Sequence, residues 1–198
     1  MISAKGAIPS FGKALKTGFE SARSNLAREG SLDNISRIFT SLNTMFNLLL
    51  DIDGDRNIDF LTYLPGSGNI TISRSNGAGG LQPYFDSQGQ GLAGYDLRSS
   101  LDRAIALDYN GDGKQDLFLY RPGQGAAWVA RSNGDGTFTA VYAVGDDGAA
   151  GLNGIAGYNF LSRSDQALAI DYNGDGKQDL FFYRPGRGAA WVARSNGD

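Results

Sequence analysis

Three short acidic loops hold the residues best suited to chemistry. They span 51–59, 108–116 and 171–179, and the second reads DYNGDGKQD, with side-chain oxygens at positions 1, 3, 5 and 9. Calcium takes about six to eight oxygen ligands, and a main-chain carbonyl at position 7 and water would complete the shell. We therefore predict one calcium ion per loop, about three ions in all. The predicted ligands are Asp51, Asp53, Asp55, Asn57 and Asp59; Asp108, Asn110, Asp112, Lys114 and Asp116; and Asp171, Asn173, Asp175, Lys177 and Asp179.

The loops differ from an EF-hand, although they share its ligand spacing. An EF-hand needs a bidentate glutamate at position 12 between helices, whereas position 12 here is Thr62, Leu119 or Phe182 between strand-like segments. A metal-free Asp-Gly turn is the simpler alternative, but three copies of one ligand pattern favour metal binding. Carboxylates crowded into one hairpin repel each other without a cation. We therefore expect calcium to fix the turns. The first loop also has Arg56 in place of the second glycine.

The loops belong to an internal repeat that covers most of the chain. Residues 108–135 return 63 residues later as 171–198, with differences only at Leu119/Phe182 and Gln124/Arg187. A diverged third copy begins at Asp51. Three copies at a period of about 60 residues indicate a repeat architecture.

Four strands per repeat must position these loops. In the second copy we predict them at Arg103–Tyr109, Asp116–Arg121, Ala126–Ser132 and Thr137–Ala143. Pro122-Gly123 predicts a type II turn, and the Asn-Gly and Asp-Gly pairs at 133–136 suit primed hairpin turns. Four-stranded antiparallel sheets repeated at this spacing are typical of β-propeller blades.

The predicted fold class is therefore all-β, with blades at 44–100, 101–163 and 164–198. The last blade stops before its fourth strand, so we expect a partial ring, either a fragment or an open or oligomerising assembly. Residues 1–43 differ, because Phe11, Leu15 and Phe19 recur at helical spacing. We expect this helical segment to cover an edge or face of the β region. A membrane-surface helix is the alternative that its basic residues leave open.

The composition excludes several functional classes. The chain of 198 residues has no cysteine and no histidine, which removes disulfides, zinc fingers, thiol nucleophiles and imidazole bases. Ten of its nineteen aspartates lie in the three loops, and three bound divalent ions would make the net charge of −3 mildly basic. That balance is too weak to indicate a nucleic-acid partner. Neither a membrane span nor a classical signal peptide is visible.

The loop motif, repeated together with RSNGDGTF hairpins, resembles the VCBS/FG-GAP repeat family over residues 44–198. Such repeats occur in integrin-like β-propellers, in calcium-containing fungal lectins of the Psathyrella type and in modules of secreted bacterial proteins. The resemblance implies one blade per repeat, calcium between strands 1 and 2, and recognition of glycans or proteins more often than catalysis. Related propellers have about seven blades, so three repeats depart from that pattern.

The favoured function is a non-catalytic, lectin-like recognition module for glycans or glycoproteins. Sugar binding uses aromatic faces beside planar hydrogen-bonding groups, and the repeats offer Tyr95, Arg121, Trp128, Tyr158, Arg184 and Trp191. The competing interpretation puts the tryptophans in the core and the arginines at turns. Protein adhesion, or an accessory role in a larger secreted protein, is the alternative function.

Catalysis is disfavoured, because the repeats contain no glutamate and their loop aspartates are assigned to calcium. A glycosidase or lyase would have to use Asp102 and Asp165, which recur just before strand 1. We expect an extracellular setting, since open all-oxygen calcium sites fill most readily there.

Overall fold

The computed structural model describes residues 46–145 and 154–198. The predicted helical segment 1–43 lies outside the described residues. Within them, eleven strands form three antiparallel sheets. The strands are β1 (Phe46–Leu50), β2 (Asp59–Leu64), β3 (Asn69–Ser75), β4 (Leu81–Asp86), β5 (Arg103–Leu107), β6 (Asp116–Arg121), β7 (Ala126–Ser132), β8 (Phe138–Val144), β9 (Gln166–Ile170), β10 (Asp179–Arg184) and β11 (Ala189–Ala193).

Each sheet is an up-and-down meander, in which every strand pairs with the next one in sequence. The first sheet contains β1 to β4, the second β5 to β8, and the third β9 to β11. The all-β, blade-like fold is thus confirmed, and the four strands predicted in the second repeat appear within two residues of their predicted bounds. No helix among the described residues is long and apolar enough to cross a membrane.

The turns follow the local sequence with one exception. The N–H of Gln124 donates to the carbonyl of Arg121, and Gly123 has φ 88°, as the predicted type II turn requires. The hairpin at 133–137 is not a primed two-residue turn, because Asn133 bonds to Thr137 across three residues. A primed turn occurs instead at Ala93-Gly94, where both residues have positive φ.

The three sheets stack face to face and share two apolar cores. One core lies between the first and second sheets, and the other lies between the second and third. Strand β6 is buried along its whole length, because Leu117 and Leu119 belong to the first core and Phe118 and Tyr120 to the second. Since successive side chains of a strand point to opposite faces, a central blade must be apolar on both.

The first strands of the three sheets lie next to one another. Strand β1 contacts β5, and β5 in turn contacts β9. The loop that follows each of these strands therefore lies next to the corresponding loop of the neighbouring sheet, and this brings the three acidic loops into one row.

Candidate metal loops and an intersheet cavity

Each acidic loop joins the first two strands of its sheet, between β1 and β2, β5 and β6, or β9 and β10. The carboxylate at position 1 organises the loop. Asp108 accepts hydrogen bonds from the N–H groups of Gly111 at 2.7 Å and Gly113 at 2.9 Å. Asp51 and Asp171 accept equivalent bonds in their own loops. The three loops therefore share one backbone conformation, in which the carboxylate at position 1 accepts hydrogen bonds from main-chain N–H groups of its own loop.

The carboxylate at position 9 is buried at the start of the second strand. Asp116 accepts hydrogen bonds from the N–H groups of Ser132 at 2.7 Å and Tyr109 at 3.4 Å, and it has no exposed surface. Burial raises the pKa of Asp116 to about 7, although the two hydrogen bonds oppose the change. Burial likewise raises the pKa of Asp59. A cation beside these groups would offset the cost of burying their charge.

The first loop is the best-formed candidate metal site. Asp51, Asp53 and Asp59 each place a carboxylate oxygen within 4.8 Å of the others, a set of three that no other His, Cys, Asp or Glu residues of the described chain form. These hard oxygens fit calcium. The loop carries one backbone strain, because Arg56 has φ 69° where the other loops have glycine.

The second and third loops have the same backbone conformation as the first, but one of their potential metal ligands is an amide in place of a carboxylate. At position 3 each carries an asparagine, and the Asn110 amide donates to Asp112 at 3.2 Å, as Asn173 does to Asp175 at 2.8 Å. An amide turned by rotation about its terminal bond presents its oxygen instead. Their donors suit calcium but supply one carboxylate fewer than the first loop. The fifteen predicted ligands thus lie in the three loops, and calcium binding there stays a prediction.

Basic side chains lie against all three loops. Arg74 contacts Asp53 at 2.7 Å, Lys114 contacts Asp112 at 2.7 Å, and Lys177 lies 3.8 Å from Asp175. Burial alone would raise the pKa of Asp112, but hydrogen bonds from Lys114 and Asn110 lower it overall. A bound ion would have to displace these flexible cations from the carboxylates.

Two of the residues predicted to bind a ligand, Tyr95 and Arg121, belong to a charged network of side chains at the second sheet. Arg121 donates to Asp102 at 2.6 Å, and the Tyr95 hydroxyl donates to the same carboxylate at 2.7 Å. The guanidinium also lies 5.3 Å from the centre of the Tyr95 ring and pairs with Asp96. Burial would lower the pKa of Arg121, but its bonds to Asp102 raise it, so the guanidinium stays charged.

The third sheet repeats this network. Arg184 donates to Asp165 at 2.6 Å, Tyr158 donates to Asp165 at 2.8 Å, and Asn159 takes the place of Asp96. Burial would raise the pKa of Asp165, but its bonds from Arg184 and Tyr158 lower it overall. The recurring Asp, Arg and Tyr thus form one hydrogen-bonded unit in each sheet, and its arginine is more exposed in the third sheet than in the second.

The two tryptophans support the primed turns. The indole N–H of Trp128 donates to the Ala93 carbonyl at 3.1 Å, and that of Trp191 donates to Ala156 at 3.0 Å. Trp128 is half-buried, whereas Trp191 is 49% exposed.

The role of these six residues as ligand contacts stays a prediction, and their burial differs from one to the next. Tyr95, Tyr158 and Arg121 are buried, and they bond to a carboxylate of the protein itself. Asp102 and Asp165 are held in the same networks, and so their carboxylates face no open cleft. Of the six, Trp191 presents the most open surface.

A cavity of about 220 Å³ lies between the second and third sheets, near the outer end of β11. Tyr109, Val141 and Tyr142 form part of its wall, and Arg194 and Asn196 lie among its polar lining. Sequence analysis did not single these residues out. Two repeated signals mark Tyr109, Arg194 and Asn196: the tyrosine at position 2 of the second and third loops, and the Arg-Ser-Asn at the end of the third strand of each sheet.

The family comparison matches residues 108–159 to the FG-GAP-like repeat. Residues 108–159 carry an FG-GAP-like repeat. This match includes the second acidic loop and strands β6 to β8 of the second sheet. No curated protein sequence matches the chain.

Solved structures share the fold at low sequence identity. An Agrocybe aegerita lectin, described as recognising non-reducing terminal N-acetylglucosamine, matches with a TM-score of 0.53 and 23% identity, over 78% of this chain and 36% of the lectin. TcdB2-TccC3 matches with a TM-score of 0.54 and 16% identity, over 78% of this chain and 6% of that one. TcdB2-TccC3-Cdc42 gives 0.52 and 15%, over 78% and 7%. The chain therefore spans about a third of the lectin and under a tenth of the other two.

Proposed function

We propose that this chain is a calcium-stabilised carbohydrate-recognition module that binds a sugar between neighbouring sheets. The fold shared with the Agrocybe aegerita lectin carries the proposal, and the candidate site is the cavity of about 220 Å³ between the second and third sheets. It combines aromatic surface from the half-buried Tyr142 with the planar polar groups of Arg194 and Asn196, and the buried Tyr109 forms part of its wall. Sugars are recognised by this combination of a flat apolar face and directional polar groups.

The size of the cavity suits one sugar ring. Pockets for drug-sized ligands measure about 300–1,000 Å³, and this cavity is smaller. The fold shared with the Agrocybe aegerita lectin supports the same assignment. Calcium would support the sugar site indirectly, by holding the second and third loops, whose Tyr109 and Gln178 line the cavity. An extracellular setting follows from the proposal, because open sites of this kind need about 0.1–1 mM calcium.

The test is a glycan array probed with the purified chain, in calcium and in chelator. We expect selective binding to a terminal sugar. Arg194→Ala and Asn196→Ala should weaken it about tenfold or more, because each removes a polar group from the cavity. Arg187→Ala is the matched control, since Arg187 is exposed in the β10–β11 turn and does not line the cavity. A folded chain that binds no glycan in either condition would overturn the proposal.

A second candidate function, assembly with a further repeat, is favoured by the far face of the third sheet. Leu168, Tyr172 and Tyr183 are 45%, 62% and 40% exposed there, whereas the equivalent Tyr109 and Tyr120 of the second sheet are 7% and 5% exposed. The third sheet covers those two tyrosines. The far face of the third sheet thus exposes apolar and aromatic side chains of the kind that a neighbouring sheet covers in the second sheet.

The outer face of the first sheet has a different character. Thr62 and Thr71 stand where the second sheet has the core residues Leu119 and Trp128. A second copy of this chain therefore offers a poor partner for the third sheet, and the occupant we infer is an FG-GAP-like repeat with apolar residues at those positions.

Extension of the chain tests the assembly function. A copy of residues 136–198 joined after Asp198 would complete the third sheet and add another. We expect a rise in melting temperature, and Tyr183→Asp should abolish the gain. An extended chain that melts at the original temperature would reject the assembly function. Glycan binding is tested separately on the unextended chain, because the added fourth strand would lie at the cavity.

A further inference from the structure

Neighbouring acidic loops are joined by a glutamine at loop position 8. The main-chain N–H of Gln115 donates to the carbonyl of Asp51 at 2.7 Å, and the N–H of Asp51 donates to the Gln115 side-chain oxygen at 2.9 Å. One glutamine of the second loop therefore holds both main-chain polar groups of Asp51, which is the position 1 residue of the first loop.

The same arrangement joins the third loop to the second. The N–H of Gln178 donates to the carbonyl of Asp108 at 2.7 Å, and the N–H of Asp108 donates to the Gln178 side-chain oxygen at 2.7 Å. The contact thus recurs one repeat later with the same atoms. It is a property of the repeat.

Position 8 lies between two predicted calcium ligands. Gln115 follows Lys114, whose carbonyl is a predicted ligand, and precedes Asp116, which is another. An ion in the second loop would hold both neighbours of Gln115 and so fix the side chain that positions Asp51. Linkage makes the effect reciprocal, because an ion on Asp51 would favour the loop that holds it.

From this geometry we propose that Gln115 and Gln178 are positioning residues that couple calcium binding in neighbouring loops. The proposal rests on the calcium binding proposed above. The contacts run one way along the chain, because each glutamine bonds to the loop of the preceding sheet.

The ends of the row provide internal comparisons. Position 8 of the first loop is Ile58, which is 57% exposed and has no amide to offer. Among the described residues, Asp171 of the third loop receives no glutamine contact of this kind. The first and second loops are therefore supported from outside, and the third loop is not.

Other bonds should keep the sheets together when a glutamine side chain is removed. The Ser132 hydroxyl donates to the Ile52 carbonyl at 2.7 Å, and Ser195 donates to the Tyr109 carbonyl at 2.6 Å. The main-chain bond from Gln115 to Asp51 also survives any side-chain change. The variants therefore test positioning and should leave the fold intact.

The experiment is a calcium titration of the metal-free full chain by calorimetry. We expect a Hill coefficient above 1 for the wild type. Gln115→Ala and Gln178→Ala should each lower it and weaken one site about fivefold or more, the usual scale of coupling between sites. Gln124→Ala, in an exposed turn, should change nothing. Gln115→Glu keeps the oxygen that accepts from Asp51 and should restore binding relative to Gln115→Ala.

The outcomes separate the two proposals. A wild-type chain that binds no calcium overturns both. Calcium binding with titrations unchanged in both alanine variants overturns the coupling alone. Circular dichroism of each variant without calcium reports the fold, and if Gln115→Ala is unfolded, the comparison of Gln115→Glu with the wild type decides the case.

Discussion

The buried pair of Arg121 and Asp102 shows how much a single residue depends on its partner. Asp102 has no exposed surface and accepts bonds from Arg121, Tyr95 and the N–H of Ser99. A buried charge left without its partner costs about 3–5 kcal/mol. The equivalent Arg184 lies nearer the surface, with its side chain 24% exposed against 9% for Arg121.

We expect Asp102→Asn to lower the free energy of unfolding by about 3 kcal/mol, because Arg121 stays charged and loses its main partner. Asp165→Asn is the matched variant, and it should cost about 1 kcal/mol, since water can solvate Arg184. Urea unfolding of the two variants measures the difference. Equal, small losses would show that the buried network contributes little to stability.

Arg56 in the first loop carries strain that the other loops avoid. Its φ of 69° is unfavourable for a residue with a side chain. Arg56→Gly should raise stability by about 1 kcal/mol, or about 3 °C in melting temperature. Gly113→Arg in the second loop is the reciprocal control and should lower stability by a similar amount, since Gly113 has φ 83° in open space. A gain in both variants would contradict the strain argument.

At the scale of elements, the connector before each later sheet is a tight, strained turn. Ala93 and Gly94 both have positive φ, and Leu92 and Tyr95 exchange two main-chain bonds across them. The approach is close, because a Cβ built on Gly91 would lie 1.9 Å from the Tyr95 carbonyl oxygen. Only glycine can occupy that position without moving the backbone.

Gly91→Ala should therefore destabilise the protein by about 3 kcal/mol or more, through steric overlap added to backbone strain. Gly186→Ala separates the two effects. It has a similar φ of 75° with no atom near the added carbon, and it should cost about 1 kcal/mol. Thermal melts of both variants test the ranking, which fails if Gly186→Ala proves as costly as Gly91→Ala.

At the scale of the whole molecule, stability and metal binding are linked through the row of loops. Three sites with Kd values of about 0.1–1 mM that bind calcium only in the folded state would together stabilise it by about 1–4 kcal/mol at 1 mM calcium. We expect millimolar calcium to raise the melting temperature by about 5–10 °C over chelator. Magnesium at the same concentration is the control, because it demands a tighter octahedral shell. A melting temperature unaffected by chelator would count against all three sites.

The stack of sheets also explains why the strands could be predicted and the ligand contacts could not. Strands β6 and β7 have the bounds expected from runs such as DLFLYR and AAWVARS, because hydrophobic runs and glycine turns act within a few residues. The prediction that Tyr95 contacts a ligand rests on its residue type and its recurrence in the repeat. The burial of Tyr95 comes from Asp102 and Trp128, which lie in the next predicted blade, 101–163.

The sequence by itself determined the three acidic loops, the repeat and the all-β class, since ligand spacing and strand pattern are encoded within one short segment. Tertiary structure alone decided which repeated residues are buried, where the intersheet cavity lies and how the loops touch. Those features join residues about 60 positions apart, as Gln115 and Asp51 show. The chemistry of the loops is therefore local, and the coupling proposed between them depends on how the sheets stack.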